Sequence, residues 1–208
     1  MSSAERLRAG IAALALDLPG EAEMKLRRYL EMLSKWNRTY NLTAVRDGAE
    51  MVSVHLLDSL AVAPYLGTIG SLADVGSGAG LPGIPLALVR PELRVTLIES
   101  NHKKASFLQQ AKIELGLDNV SIHCGRVEQA TGLSPFDAVI SRAFSDLAEF
   151  ARLAGHLLAP GGRLLAMKGI LPQDEINRLP DGWRLAQALP LAVPGLAAQR
   201  HLIVIERA

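Results

Sequence analysis

An α/β fold, with helices on both faces of a mostly parallel seven-stranded sheet whose last strand is antiparallel, preceded by a helical cap, is what the 208-residue sequence predicts. Three observations carry that expectation. Apolar residues recur at helical spacing as far as about residue 67, whereas beyond it short apolar runs of strand length alternate with helical patterns. Such alternation requires crossover connections, which make successive strands parallel and cover both faces of their sheet. At the first strand-to-helix junction of this second part, Gly76, Gly78 and Gly80 stand at alternate positions just after Asp74 and Val75.

The cap, residues 1–67, reads as helices near 3–16, 21–36 and 50–66. Leu7, Ile11 and Leu14 mark the apolar face of the first, and Leu26, Tyr29, Leu30 and Leu33 that of the second; Pro19 and Gly20 part them. Met51, Val54, Leu57 and Ala61 mark the third. Asn37, Asn41 and Thr43 suit helix caps and turns in the connection before it. His55 and Asp58 stand one helical turn apart, which predicts a hydrogen bond on a helix surface. Residues 68–208 then read as one unit, with strands near 71–75, 94–99, 120–124, 136–141, 162–167, 183–189 and 201–206. Helices are expected near 82–90, 101–115, 146–158 and 172–179. Pro190, Pro194 and Gly195 break the stretch between the last two strands, so these should pair antiparallel.

Composition narrows the class. With 49% hydrophobic and 21% charged residues, the chain can bury one sizeable core plus a small cap. No apolar run reaches the roughly 18 residues of a membrane span, and the first residues mix both charges without a signal peptide's apolar stretch, so a soluble cytoplasmic protein is expected. The single cysteine, Cys124, excludes an internal disulfide and a cysteine zinc cluster, and in its strand it reads as a buried structural thiol. No spacing reads as a metal site. A net charge of +1 decides nothing about nucleic acid, but cationic residues recur beside the expected loops: Arg38, Arg46, Lys103, Lys104, Arg126, Arg142, Lys168 and Arg200, with His201. There is no heptad seam, and a monomer is expected.

The glycine turn points to a nucleoside cofactor. Glycine permits positive φ and close approach of backbone to a ligand, so the turn is expected to present bare amides. Gly78, Gly80 and Gly83 fit the dinucleotide spacing G-x-G-x-x-G. Asp74, Gly76, Gly78 and Gly80 also fit the acidic-x-G-x-G-x-G loop that binds S-adenosylmethionine (SAM), and an acidic residue there accepts from an ammonium but repels a phosphate. Asp74 therefore favours SAM over NAD. Glu99, 23 positions after Gly76 at the end of the second strand, is placed for ribose hydroxyls, which both cofactors carry. The expected fold is accordingly Rossmann-like, of the class I SAM-dependent methyltransferase type.

The acceptor belongs at the end of the fourth strand. Enzymes that methylate exocyclic amines carry (D/N)-P-P-(Y/F) there, whereas this chain has Ser141, Arg142, Ala143 and Phe144. Cytosine C5 methylation needs a cysteine beside a proline, which Cys124 lacks. Guanine N7 already holds a free in-plane lone pair, so the protein has only to align the reacting atoms, which contributes on the order of 7–11 kcal/mol at best. Arg142 can orient guanine O6 or a phosphate, or form a salt bridge at the strand end. Lys168, at the end of the fifth strand, is expected to contact phosphate, and Arg200 and His201 are the other candidate RNA contacts. Two rival readings are an NAD-dependent oxidoreductase and a SAM-binding RNA-interaction protein without turnover.

Six stretches taken in order, 36–43 (WNRTYNLT), 55–60 (HLLDSL), 74–86 (DVGSGAGLPGIPL), 140–144 (ISRAF), 167–169 (MKG) and 200–204 (RHLIV), resemble the ribosomal small subunit methyltransferase G family, also called glucose-inhibited division protein B, over nearly the whole chain. That resemblance implies SAM-dependent N7 methylation of one guanine in the decoding region of 16S rRNA, within the small ribosomal subunit, in the bacterial cytoplasm. It places Gly76 and Leu81 in the cofactor loop, Val127 and Glu128 beside the adenine, and Arg142 at the closure of the site. Glu99 is one methylene longer than the Asp that family members carry at the ribose position.

Overall fold

The computed structural model describes residues 2–144 and 146–208. In the cap, α1 (Ser3–Ala13) starts on a reciprocal pair in which Ser2 Oγ accepts from Glu5 N and the Glu5 carboxylate accepts from Ser2 N. The long α2 (Ala22–Tyr40) runs four residues past its expected end, because Asn41 adopts the left-handed conformation that stops it. Asn37 and Thr43 hold the turn that follows: Asn37 Nδ2 donates to Val45 O at 3.1 Å and its Oδ1 accepts from Thr43 N at 2.9 Å.

The third cap helix differs from expectation. It comprises α3 (Gly48–Met51), a π-helical stretch (Val52–Leu57) and α4 (Asp58–Leu60), followed by a 3₁₀ turn at Ala63–Tyr65. Almost every side chain from Met51 to Ala63 is buried, His55, Asp58 and Ser59 included. The helix packs between α1 and the sheet domain and has no wet face, so the surface pair expected for His55 and Asp58 does not exist.

Beyond the cap come β1 (Ser71–Val75), α5 (Gly83–Val89), β2 (Arg94–Glu99), α6 (His102–Leu115), β3 (Val120–Cys124), β4 (Phe136–Ser141), α7 (Leu147–Ala154), β5 (Leu158–Lys168), α8 (Gln173–Ile176), β6 (Trp183–Pro190) and β7 (His201–Arg207). They form a seven-stranded sheet of order β3-β2-β1-β4-β5-β7-β6. The pairs β3–β2, β2–β1, β1–β4 and β4–β5 are parallel, whereas β7 is antiparallel to both β5 and β6. The expected finish is therefore present. Helix α7 is shorter than expected because β5 starts at Leu158, and α8 is a single turn.

Two apolar clusters flank the sheet. One joins cap residues Leu7, Leu26, Leu33, Leu57 and Leu60 to Ile84, Leu86, Leu97 and Phe107, so cap and sheet share a core. The other packs Phe150, Ala151 and Ala154 of α7 against Val139, Leu164 and Ile203. Because β7 is antiparallel, its first residues lie beside the carboxyl end of β5: His201 pairs with Lys168. That single reversal brings Arg200 and His201 to the edge where the ends of β1, β2, β4 and β5 already converge.

Candidate active site

Between β1 and α5, Gly76, Gly78 and Gly80 have φ values of +67°, +59° and +90°. Only glycine takes these without strain. Their surroundings differ. A Cβ on Gly76 would lie 2.8 Å from Ala143 Cβ and one on Gly80 2.5 Å from Ile84 Cδ1, but one on Gly78 meets nothing closer than Gly76 O at 3.9 Å. Gly76 and Gly80 are closely packed, and Gly78 borders open space.

The expectation of bare amides is corrected. Gly76 N and Ser77 N both donate to Ile98 O, and Gly80 N and Leu81 N both donate to Ser77 O. Gly78 N donates to Glu99 Oε2 at 2.8 Å. A pyrophosphate needs free amides and would here face the Glu99 carboxylate, so the loop is unsuited to NAD. A donor without phosphate requires only the space.

The two acidic residues sit at this loop. Asp74 is fully buried, and its Oδ2 accepts from Gly83 N at 2.8 Å, fastening the start of α5. Burial pushes its carboxyl up to about 7, against the opposing pull of the Gly83 amide and Arg142. Glu99 uses one oxygen on Gly78 N and the other on Asn101 N at 2.8 Å. Each carboxylate oxygen has a second lone pair, which leaves Glu99 able to accept from a hydroxyl.

Three cavities adjoin one another at the strand ends. The first, about 230 Å³, is lined by Val75, Gly76, Ile98, Val127 and Glu128 among others. The second, about 200 Å³, lies between the loop from Gly76 to Leu81 and the cap residues Thr43 and His55. The third, about 730 Å³, lies among Phe144, Met167, Lys168 and Glu175. Gly76 and Ala143 border the first two, and Arg142 borders the second and third. A further cavity of about 410 Å³ lies on the cap around Arg27, Lys35 and Arg38, away from every strand end.

Arg142 is the charge at this junction. Its Nη1 lies 3.3 Å from Asp58 Oδ2, an ion pair, yet is not aligned as a hydrogen bond. Asp58 Oδ1 accepts from Arg200 Nε at 2.9 Å. Burial raises the Asp58 pKa, and the two guanidiniums oppose that rise. His55 is buried and pushed down to about 4, by burial first and then by Arg142. Its Nε2 lies 2.8 Å from Thr43 Oγ1, which also accepts from Val45 N. Among the described residues, the buried polar atoms without a hydrogen-bond partner include Asp74 Oδ1, Ser77 Oγ, His55 Nδ1 and Arg142 Nη1. All four belong to this neighbourhood, and they comprise the acceptor and donors that an amino-acid ammonium and carboxylate require. On that donor set, and on the open side of Gly78, the residues fit the methionine half of SAM.

The remaining candidates are placed as follows. Leu81 lines the second cavity. Lys168 Nζ donates to Glu175 Oε2 at 2.8 Å and to Phe144 O at 3.2 Å, so it borders the third cavity while held by neighbours. His201 Nδ1 donates to Gly169 O at 2.8 Å. Cys124 is exposed on the edge strand, its Sγ 3.3 Å from His102 Nδ1, which corrects the expected buried thiol. Sequence reasoning missed Tyr29 altogether as a site residue. Its hydroxyl donates to Ala79 O in the glycine loop at 2.6 Å, and burial raises its pKa.

Comparison with known proteins agrees with this architecture. The chain is 57% identical over 204 residues to the ribosomal RNA small subunit methyltransferase G of Azoarcus sp. (strain BH72), covering 98% of this chain and 96% of that one. It is likewise 57% identical over 209 residues to the protein of that name from Aromatoleum aromaticum, covering 99% of each. Among solved structures, the O-methyltransferase TomG from Streptomyces achromogenes, in complex with SAM, superposes over 100% of both chains with a TM-score of 0.60 at 16% identity, a likeness of fold alone. The profile of rRNA small subunit methyltransferase G matches residues 22–203, and with the fold and the glycine-loop site this establishes that the chain belongs to that family.

Proposed function

We propose that this protein transfers the methyl group of SAM to N7 of one guanine in the decoding region of 16S rRNA, acting in the cytoplasm as a monomer on the small ribosomal subunit. The observation that carries the reading is the junction at Arg142, where a cavity bordered by the glycine loop meets a larger one at the carboxyl end of β5. When bound, SAM supplies an electrophilic methyl carbon on a sulfonium.

The chain's own residues bind and orient. In this reading Val127 and Glu128, which border the first cavity, meet the adenine, and Glu99 accepts from the ribose with the lone pairs its two amide bonds leave free. Asp74, through its unpartnered Oδ1, meets the amino-acid end together with Arg142. Beside the larger cavity, Glu175 is already committed, accepting from Lys168 and from Leu147 N. An acceptor atom with its own lone pair fits such a site, because no proton has to leave before attack. Arg142 donates to guanine O6 or a phosphate and leaves N7 free. Phe144, stacked on Phe150 at a centroid distance of 5.0 Å, presents an aromatic wall to the same cavity. Lys168, Arg200 and His201 line the approach for the RNA backbone.

The test is incubation with methyl-labelled SAM and unmodified bacterial small subunits, followed by mass-spectrometric mapping of the label. Label on guanine N7 is expected. Label on an exocyclic amine, or cofactor-dependent RNA binding without transfer, would overturn the reading.

A further inference from the structure

Asp58 lies inside the cap, 3% exposed, yet reaches two cations from two different strands of the sheet domain. Arg142 follows β4, and Arg200 precedes β7. The two contacts are not equivalent. Arg200 Nε makes an aligned hydrogen bond of 2.9 Å to Oδ1, whereas Arg142 Nη1 lies 3.3 Å from Oδ2 without hydrogen-bond alignment. Asp58 thus spends its directional bond on Arg200 and holds Arg142 mainly by charge, so that the Arg142 donors stay available to another partner. Ser59 Oγ donates to His55 O at 2.6 Å within the same buried helix, and the π-helical stretch ends immediately before Asp58. The carboxylate therefore rests on a rigid, packed support.

The geometry points to Asp58 as a positioning residue that fixes the Arg142 guanidinium at the junction of the donor and acceptor cavities, with Arg200 as the counterweight that keeps Asp58 from bonding Arg142 outright. This rests on the reading of Arg142 as the residue that closes the site. Without the carboxylate, two guanidiniums that are 26% and 24% exposed face each other uncompensated, and Arg142 turns out of the cavities toward water.

A double-mutant cycle tests the inference. SAM affinity by calorimetry, single-turnover transfer to small subunits and melting temperature are measured for Asp58→Asn, Arg142→Ala and the double variant. Asp58→Asn and Arg142→Ala should each weaken SAM binding roughly tenfold, and the double variant should bind no worse than Arg142→Ala alone, because groups in contact couple strongly. Parental SAM affinity in Asp58→Asn, or effects that simply add, would overturn the inference. If Asp58→Asn does not fold, Arg200→Ala takes its place: freeing Asp58 to bond Arg142 fully should weaken SAM binding by about threefold or more. Unchanged affinity in that variant would overturn the inference too. The cycle in SAM affinity does not involve the acceptor. Methyl label on an atom other than N7 would therefore sink the proposed function and leave Asp58's role standing, and additive effects would do the reverse.

Discussion

Gly78 and Gly80 share a left-handed backbone and differ in what surrounds them. Alanine at either position costs about 1–2 kcal/mol for the backbone alone. At Gly80 the new methyl also strikes Ile84 and Leu108, adding roughly 1–3 kcal/mol of overpacking. At Gly78 it enters open space beside the second cavity. Gly80→Ala should therefore lose clearly more stability in urea titration, whereas Gly78→Ala should keep its fold and lose SAM affinity by about tenfold or more, as a blocked site would. Parental SAM binding in Gly78→Ala would show that the donor lies elsewhere. The spacing of Asp74, the glycines and Glu99 was legible in the sequence because a nucleoside site needs those residue types at those intervals. That one Asp74 oxygen and both Glu99 oxygens are already bonded to backbone amides was not, since Gly83 N and Gly78 N reach them only once the loop has folded back on itself.

Helix α2 shows the same division one level up. Its apolar face was readable from Leu26, Tyr29, Leu30 and Leu33, and Tyr29 is indeed fully buried. Periodicity has no means of saying that the far end of that ring reaches the Ala79 carbonyl, 50 residues away. Tyr29→Phe keeps the ring and strands a buried carbonyl, at a cost of about 1–3 kcal/mol. Part of that cost is expected to appear as looser SAM binding by calorimetry, since the orphaned carbonyl belongs to the donor loop. A variant that loses stability in urea while binding SAM as the parent does would confine Tyr29 to a packing role. The helix around His55 was misjudged for a related reason: an amphipathic reading presumes one face toward water, and this element is enclosed on all sides. Cys124 erred in the opposite direction, because β3 is an edge strand and its end stays exposed.

At the scale of the molecule, cap and sheet are joined by one apolar cluster and by Asp58 and Tyr29, which reach from the cap into the site. Removing residues 1–67 would uncover Ile84, Leu86 and Phe107, each worth about 1.5–3 kcal/mol when buried. The shortened chain should therefore fail to fold cooperatively, and the full chain should melt in a single calorimetric transition; an independently folding fragment from 68 to 208 would contradict the shared core. The sequence by itself determined the alternation of strand and helix, the antiparallel finish and the glycine turn with its two carboxylates, because these follow from local periodicity and backbone chemistry. Only the tertiary structure decided that a carboxylate of the cap lies between arginines at the ends of two strands, that the loop amides of Gly76, Ser77, Gly78, Gly80 and Leu81 are bonded within the protein, and that β7 delivers Arg200 to the crevice. Those contacts join residues up to 142 positions apart, and no local pattern encodes a meeting that strand order and helix packing bring about.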